Sequence, residues 1–222
     1  IKRGYPWIFE TQIFHADRVE AGALVRIANR TKKTFAIGYY NPNSKLIARV
    51  LSLEPNTPID QAFFEQRFQA ALLKRQRRFQ VPYYRLVHAE SDFLPGLVID
   101  RYADTLVCQV TTLGMEQLKE HRLAALNNVL SPKTIVLKND VIQRSIEGME
   151  QGVEVVQGEV QEPLPVLENG LKFFVSLTQG QKTGWFYDQR ANRAYMSQWV
   201  KNKTVIDAYC YCGGFGALAL AK

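Results

Sequence analysis

From Val205 to Leu220 the chain reads Val-Ile-Asp-Ala-Tyr-Cys-Tyr-Cys-Gly-Gly-Phe-Gly-Ala-Leu-Ala-Leu. An apolar run closes on an acid, a tight glycine-rich turn follows, and small helix-forming residues come next. That order predicts the strand, loop and helix of an open α/β sheet, whose ligand sits beyond the carboxyl end of the strand. Paired glycines let the backbone approach such a ligand, and amides at the helix start face its polar groups. The glycine spacing is neither the Gly-x-Gly-x-x-Gly of a dinucleotide site nor the Gly-Lys-Ser/Thr ending of a phosphate loop. A nicotinamide-dependent oxidoreductase therefore fits the general sheet but not this loop. Taken alone, the stretch also reads as a turn that needs positive φ before a packed helix.

A second segment decides between these readings. Just upstream, the chain runs Gly180-Gln181-Lys182-Thr183-Gly184-Trp185-Phe186-Tyr187-Asp188-Gln189-Arg190. The pair of this segment and Asp-Ala-Tyr-Cys-Tyr-Cys-Gly-Gly-Phe resembles the class I S-adenosylmethionine-dependent RNA methyltransferases, in particular the large-subunit ribosomal RNA methyltransferase I group that forms 5-methylcytosine. The resemblance implies S-adenosyl-L-methionine as cofactor, with both segments at its pocket. It implies that the loop holds the methionine end of the cofactor through Asp207, Tyr209, Cys210, Gly213, Gly214 and Phe215, flanked by Lys182, Thr183, Asp188, Gln189 and Arg190. For Asp188 and Arg190 a helix N-terminal charge and an internal salt bridge are the competing roles. Methylation at carbon 5 of cytosine requires a thiolate that adds to the ring. In the family that cysteine lies far downstream, so Cys210 and Cys212 are expected to be small packing residues of the loop. By the same resemblance the chain stops short of the ribose-binding acid, an Asp-Pro-Pro-like motif and the nucleophile. It is expected to be a fragment, inactive by itself.

The front of the chain carries a different signal. Residues 1–89 hold 15 Lys and Arg against 6 Asp and Glu, whereas residues 90–222 hold 13 against 15. All of the net charge of +7 therefore lies in the first part. A basic front end beside a near-neutral remainder suits a polyanion read through its phosphates. The opening Gly4-Tyr5-Pro6-Trp7-Ile8-Phe9, followed by short strand-like runs at Leu24–Ile27, Thr34–Tyr40 and Leu46–Leu51 with a turn at Asn41-Pro42-Asn43-Ser44, predicts a small barrel. It resembles a PUA domain, which implies RNA binding and large-subunit ribosomal RNA as partner. Trp7 and Phe9 are expected to fill the barrel. Lys2, Arg3, Arg26, Arg30, Lys32, Lys33 and Arg49 are the expected RNA contacts.

From Pro58 to about Gln80, apolar residues recur every three to four positions, the period of an amphipathic helix. Its end is Lys74-Arg75-Gln76-Arg77-Arg78, and no carboxylate stands between Gln66 and Ala89. Cations near a helix C-terminus suit the helix dipole. Six of them with no local counter-charge exceed that need, which makes Lys74, Arg75, Arg77 and Arg78 candidates for phosphate contact.

Beyond the helix, Tyr84–Tyr102 and Thr105–Val110 read as strands joined at the Pro95-Gly96 turn and at Ala103-Asp104, and with a helix from Met115 to Leu130 and a strand at Thr134–Lys138 they predict a middle α+β unit. Glu90, Ser91, Asp92, Asp100 and Arg101 crowd one turn and are expected to stabilise it. Residues 146–165 read as linker and short hairpin, and Glu168-Asn169-Gly170-Leu171 is a strong hairpin turn. A strand is expected to end at Asp207.

The expected architecture is a multidomain α/β chain. A PUA-like barrel spans 1–57, a basic linker helix 58–83, a middle α+β domain 84–165, and the start of a Rossmann-like methyltransferase domain 166–222. Three cysteines without a framework and scattered histidines argue against disulfides and zinc, and for free thiols in the cytoplasm. No apolar run suggests a membrane partner, and the resemblance leaves a homodimer open. The rival reading is a non-catalytic RNA-binding module with a structural α/β remnant.

Overall fold

The computed structural model describes residues 5–16, 18–177, 180–181 and 183–222. Lys2, Arg3 and Lys182 lie outside the described residues.

The N-terminal part is a four-stranded antiparallel sheet in the order β1-β4-β3-β2. Its strands are β1 (Trp7–Ile8), β2 (Leu24–Ala28), β3 (Thr34–Tyr40) and β4 (Ala48–Ser52). Helix α1 (Gln61–Gln76) follows, its start fixed by Asp60, whose carboxylate accepts from the Phe63 amide at 3.0 Å. Its buried stripe is Phe63, Phe64, Phe68, Ala71 and Leu72, the residues whose spacing predicted the helix.

The centre of the molecule is a five-stranded sheet, β5-β6-β7-β8-β9. It comprises β5 (Tyr83–His88), β6 (Leu97–Tyr102), β7 (Thr105–Val110), β8 (Thr134–Lys138) and β9 (Val153–Gln157), with β7 and β8 parallel. Between β7 and β8 the chain makes α2 (Leu113–Gln117) and α3 (Lys119–Leu130), one helix in the sequence reading and two in the structure. The short α4 (Ile142–Ile146) precedes β9.

Strand periodicity assigns this sheet two cores. Leu106, Cys108 and Val110 of β7 and Ile135 and Leu137 of β8 face one side, where they pack with Phe64, Phe68 and Leu72 of α1 and Ala125 and Leu126 of α3. Val107 and Val136 point to the other side. There they meet the hairpin of β10 (Leu164–Glu168) and β11 (Leu171–Val175), together with Trp185 and Tyr187. The Asn169-Gly170 turn closes this hairpin as expected, with both residues at positive φ. The last elements are α5 (Arg190–Met196) and α6 (Gly214–Leu220).

Three expectations are corrected. Residues 153–157 are no linker: they form the edge strand β9, antiparallel to β8, and the flanking Gly152 and Gly158 hid a short run that needs β8 to exist. No strand ends at Asp207, because among the described residues none pairs with Val205 and Ile206, and both side chains are exposed. Trp7 and Phe9 do not fill a barrel. Both are exposed, and the Trp7 indole N–H reaches across to Glu90 Oε1 at 3.0 Å, satisfying its donor on the neighbouring unit.

Candidate functional site

The site forms where three stretches converge: the hairpin β10–β11, residues 183–193, and the glycine-rich loop 207–216. Its floor is a buried acid. Glu168 at the end of β10 is fully shielded, and its carboxylate accepts from the Trp185 indole N–H (2.9 Å), from Arg190 Nε (3.1 Å) and from Arg193 Nε (2.6 Å). A buried carboxylate needs such partners, since an unpaired charge in the interior is costly. Two guanidiniums and an indole are thereby fixed together. The Arg193 guanidinium lies 4.6 Å from the Trp185 ring centre and 5.8 Å from that of Phe215, so the same group props up the loop.

The loop is built on alternating left-handed residues. Tyr209, Tyr211 and Gly213 have φ of 57°, 51° and 68°. Such alternation turns successive main-chain N–H groups toward one concave side, the geometry that receives anionic and polar groups. Tyrosine tolerates that region poorly, so the conformation must be held from outside. The hold is visible: the Tyr211 hydroxyl donates to the carbonyl oxygen of Gly184 at 3.0 Å, and its ring meets Phe186 edge-on at 5.5 Å. Burial pushes the Tyr211 phenol up to about 12. Gly214 packs tightly, since a Cβ there would stand 3.1 Å from Arg193 and from Trp185 and would press on both side chains. Among the described residues nothing stands within 4 Å of where a Cβ on Gly213 would sit, and Tyr209 is fully exposed. The concave side is therefore open, and its donors and glycines fit the methionine end of S-adenosylmethionine. Asp207 turns inward across the loop, where its carboxylate accepts from the Gly216 amide at 2.8 Å.

The structure thus brings Thr183, Gly184, Tyr211, Gly214 and Phe215 into one place, but redirects several expected side chains. Thr183 is buried and donates to the Asp100 carboxylate, while its carbonyl accepts from Tyr102 Oη at 3.0 Å. Arg190 donates to Glu168 and to the Tyr83 carbonyl, which makes it the internal salt bridge that was the competing reading. Neither side chain points at the loop. Gln189 accepts from Asn192 at 2.9 Å at the start of α5, and Asp188 and Cys210 are exposed.

Sequence reasoning missed Asp100. It was assigned to a turn, yet it is fully buried in β6, and its two oxygens take Arg85 Nε (2.9 Å) and Nη2 (3.0 Å) as well as Thr183. Burial alone would lower the Arg85 guanidinium, and the Asp100 carboxylate outweighs it and raises it. Burial, followed by the Asp100 charge, raises the Tyr102 phenol well above its ordinary value. One carboxylate therefore links the central sheet to the Thr183-Gly184 segment. Its i, i+2 neighbours in an apolar strand were the available signal.

Two of the expected RNA contacts are corrected. Arg49 is buried and pairs with Glu147 at 2.9 Å, while Asn41 also donates to that carboxylate at 2.8 Å, so Arg49 locks the N-terminal sheet to the centre. Arg75 is bidentate on Asp92, at 2.9 and 2.5 Å, with Lys74 at 3.6 Å from the same acid. The local absence of carboxylates was real, but the fold imports them from β6 and the turn before it. Arg26, Arg30, Lys32, Lys33, Arg77 and Arg78 remain exposed.

Comparison with known proteins identifies the family. A family model described as S-adenosylmethionine-dependent methyltransferase matches residues 111–222, and one described as PUA-like domain matches residues 1–53. The chain belongs to the S-adenosylmethionine-dependent methyltransferases, with a PUA-like domain in front and a Rossmann-like transferase part behind. More narrowly, it is similar to the ribosomal RNA large subunit methyltransferase I of Tolumonas auensis, at 39% identity over 98% of this chain and 56% of that protein. The enzymes of the same name from Pseudoalteromonas atlantica and Vibrio cholerae match at 35% and 38% identity over 99% of this chain, each over 56% of its own length. The chain thus spans somewhat more than half the length of these relatives. Among solved structures, one described as a SAM-dependent methyltransferase from Streptococcus mutans matches with a TM-score of 0.78 at 20% identity, over 99% of this chain and 57% of that one. A methyltransferase solved in complex with SAH matches with a TM-score of 0.79, also at 20% identity, over 99% of this chain and 56% of its own. At that identity the likeness is one of fold.

Proposed function

We propose that this protein methylates large-subunit ribosomal RNA, using S-adenosyl-L-methionine, at carbon 5 of a cytosine. The observation that carries the reading is the bond from Tyr211 to Gly184, which locks an open, amide-lined loop against the Thr183–Tyr187 segment. The names of the relatives supply the RNA, and the exposed cations of the N-terminal part suit it.

The cofactor brings a methyl group on a sulfonium that is already an activated leaving group, so the protein's task is placement of donor and acceptor in line. In this reading the main-chain N–H groups of Cys210, Tyr211 and Cys212 receive the methionine carboxylate, the Gly213 amide being spent on the Cys210 carbonyl, and the Phe215 side of the loop forms the wall. Gly213 keeps that approach clear, and Gly214 lets the loop backbone lie against Arg193 and Trp185. Arg193 and Trp185 hold the wall from behind, and Asp207 braces the loop through the Gly216 amide rather than reaching the ligand with both oxygens. Arg26, Arg30, Lys32, Lys33 and the end of α1 meet the phosphates.

The ring-attacking thiolate does not come from these residues. Cys108 is sealed in the core, where burial pushes its thiol up to about 12, and Cys210 and Cys212 belong to the cofactor loop. Residues 1–222 alone are therefore proposed to lack turnover. Ribosomal RNA as substrate places the reaction in the cytoplasm. Among the described residues, no helix is long and apolar enough to cross a membrane.

The test is incubation of the complete gene product with labelled S-adenosylmethionine and protein-free large-subunit ribosomal RNA, followed by nucleoside analysis. Label in 5-methylcytosine is the expected result. Label in another nucleoside retains the transferase and discards the cytosine chemistry. No label, with salt-sensitive RNA binding intact, leaves the non-catalytic binding module.

A further inference from the structure

A groove of about 400 Å³ opens between the C-terminal end of α1, strand β5 and the residues just before α5. Lys74, Arg75 and Arg78 enter it from α1, Arg85 and His88 from β5, and Arg190 from α5. Three of these cations have fixed partners: Arg75 on Asp92, Arg85 on Asp100 and Arg190 on Glu168. The carboxylates are nevertheless oversubscribed. Asp92 faces Lys74 as well as Arg75, and Glu168 faces Arg193 as well as Arg190. Arg78 makes no ion pair among the described residues, and its side chain is exposed beside the Phe79 ring. Lys74 keeps about half of its side-chain surface in solvent. Positive charge is thus left over on a concave surface whose walls are pre-set by buried acids, the condition under which a bound anion pays little ordering entropy. The helix dipole accounts for cations along the last turn of α1, but not for the convergence of cations from β5 and α5 on the same hollow.

We propose that this groove seats a phosphodiester of single-stranded RNA, with Lys74, Arg78 and His88 as the groups that contact it. The proposal rests on the RNA-modifying reading above and gives it a place. The groove wall and the cofactor-side segment share a support, because Asp100 holds both Arg85 of the groove and Thr183. A strand seated here runs beside the segment that carries the loop's anchor, Gly184. Asp188 is part of the same lining, and its carboxylate limits the positive field there.

The experiment measures binding of a fluorescently labelled single-stranded oligoribonucleotide to the complete protein across a salt series. Lys74→Ala with Arg78→Ala is compared with the parent and with Lys172→Ala/Lys203→Ala, which removes two exposed cations outside the groove. The groove variant is expected to bind roughly tenfold more weakly, and its salt slope to fall by about 1.4, the value for two lost contacts to a single strand. The control should keep the parent's affinity and slope. Asp188→Asn works in the opposite direction and tightens binding, a gain that a damaged fold cannot produce. Parent-like affinity and slope in the groove variant, or no gain from Asp188→Asn, overturns the proposal. Methyl transfer is read separately: loss of RNA binding in the groove variant of a protein that methylates nothing supports the seat and removes the enzyme reading, whereas methylation by a groove variant that binds like the parent removes the seat alone.

Discussion

The hydroxyl of Tyr211 donates to the carbonyl oxygen of Gly184 at 3.0 Å, joining two segments that the chain separates by 27 positions. This contact holds a tyrosine in the left-handed region at the centre of the glycine-rich loop. Tyr211→Phe removes the hydroxyl and keeps the ring against Phe186. The loop should then bind S-adenosylhomocysteine more weakly by about 1 kcal/mol, the net worth of one hydrogen bond. Isothermal titration of the complete protein checks it, and equal affinity would mean that the loop holds its shape without the bond.

Alkali should act on the same residue. The folded-state value of Tyr211, about 12, lies above the ordinary 10.0, so the folded protein binds the proton more tightly than the unfolded chain. Stability linked to it is therefore complete below pH 10 and falls as pH rises toward 12. Burial raises Tyr102 and Tyr187 in the same direction. Melting temperature followed over that range should fall less steeply in Tyr211→Phe than in the parent.

Asp100 is the acid on which two units depend. Asp100→Ala strands the Arg85 guanidinium and the Thr183 hydroxyl in a part-buried site. Breaking a buried pair from one side costs about 3–5 kcal/mol. Urea unfolding should show a loss of that size, while Asp104→Ala, which breaks an exposed and solvent-screened pair with Lys133, should leave the midpoint close to the parent's.

Arg122 of α3 presents the reverse case. It is fully buried, its Nε donates to the Met115 carbonyl at 3.0 Å, and its two terminal nitrogens have no partner among the described residues. Burial lowers its guanidinium accordingly. Arg122→Met keeps the aliphatic volume and removes the stranded donors, so stability should rise by about 1–3 kcal/mol. A drop in the urea midpoint would count against this and would point to a partner for the guanidinium in solution.

Thiol labelling separates loop from core. At neutral pH, Cys210 is exposed and should react with iodoacetamide first, Cys212 more slowly because burial raises its thiol, and Cys108 only on unfolding. S-adenosylhomocysteine should slow the labelling of Cys210 in the complete protein. Mass spectrometry of the labelled peptides distinguishes the three sites.

Local chemistry was enough to place most elements. The three-to-four spacing of Phe64, Phe68 and Leu72 marked α1, Asn169-Gly170 marked the hairpin, and the Gly213-Gly214 turn marked the loop, because each signal acts over a few residues. The sequence also paired the loop with the Thr183-Gly184 segment, but only through resemblance. What it could not reach was the fate of charge. A cation's partner is chosen by distance in space, and Arg49 found its acid 98 positions away in Glu147, as Arg85 found Asp100 across a strand pair. Counting neighbours along the chain made both look free. The same holds for backbone hydrogen bonds. Residues 153–157 became a strand because β8 offered them an edge, and Val205-Ile206, equally apolar, did not, because among the described residues no strand edge pairs with them. Periodicity and turn chemistry are written locally; ion pairs and ladders exist only once the chain has folded back on itself.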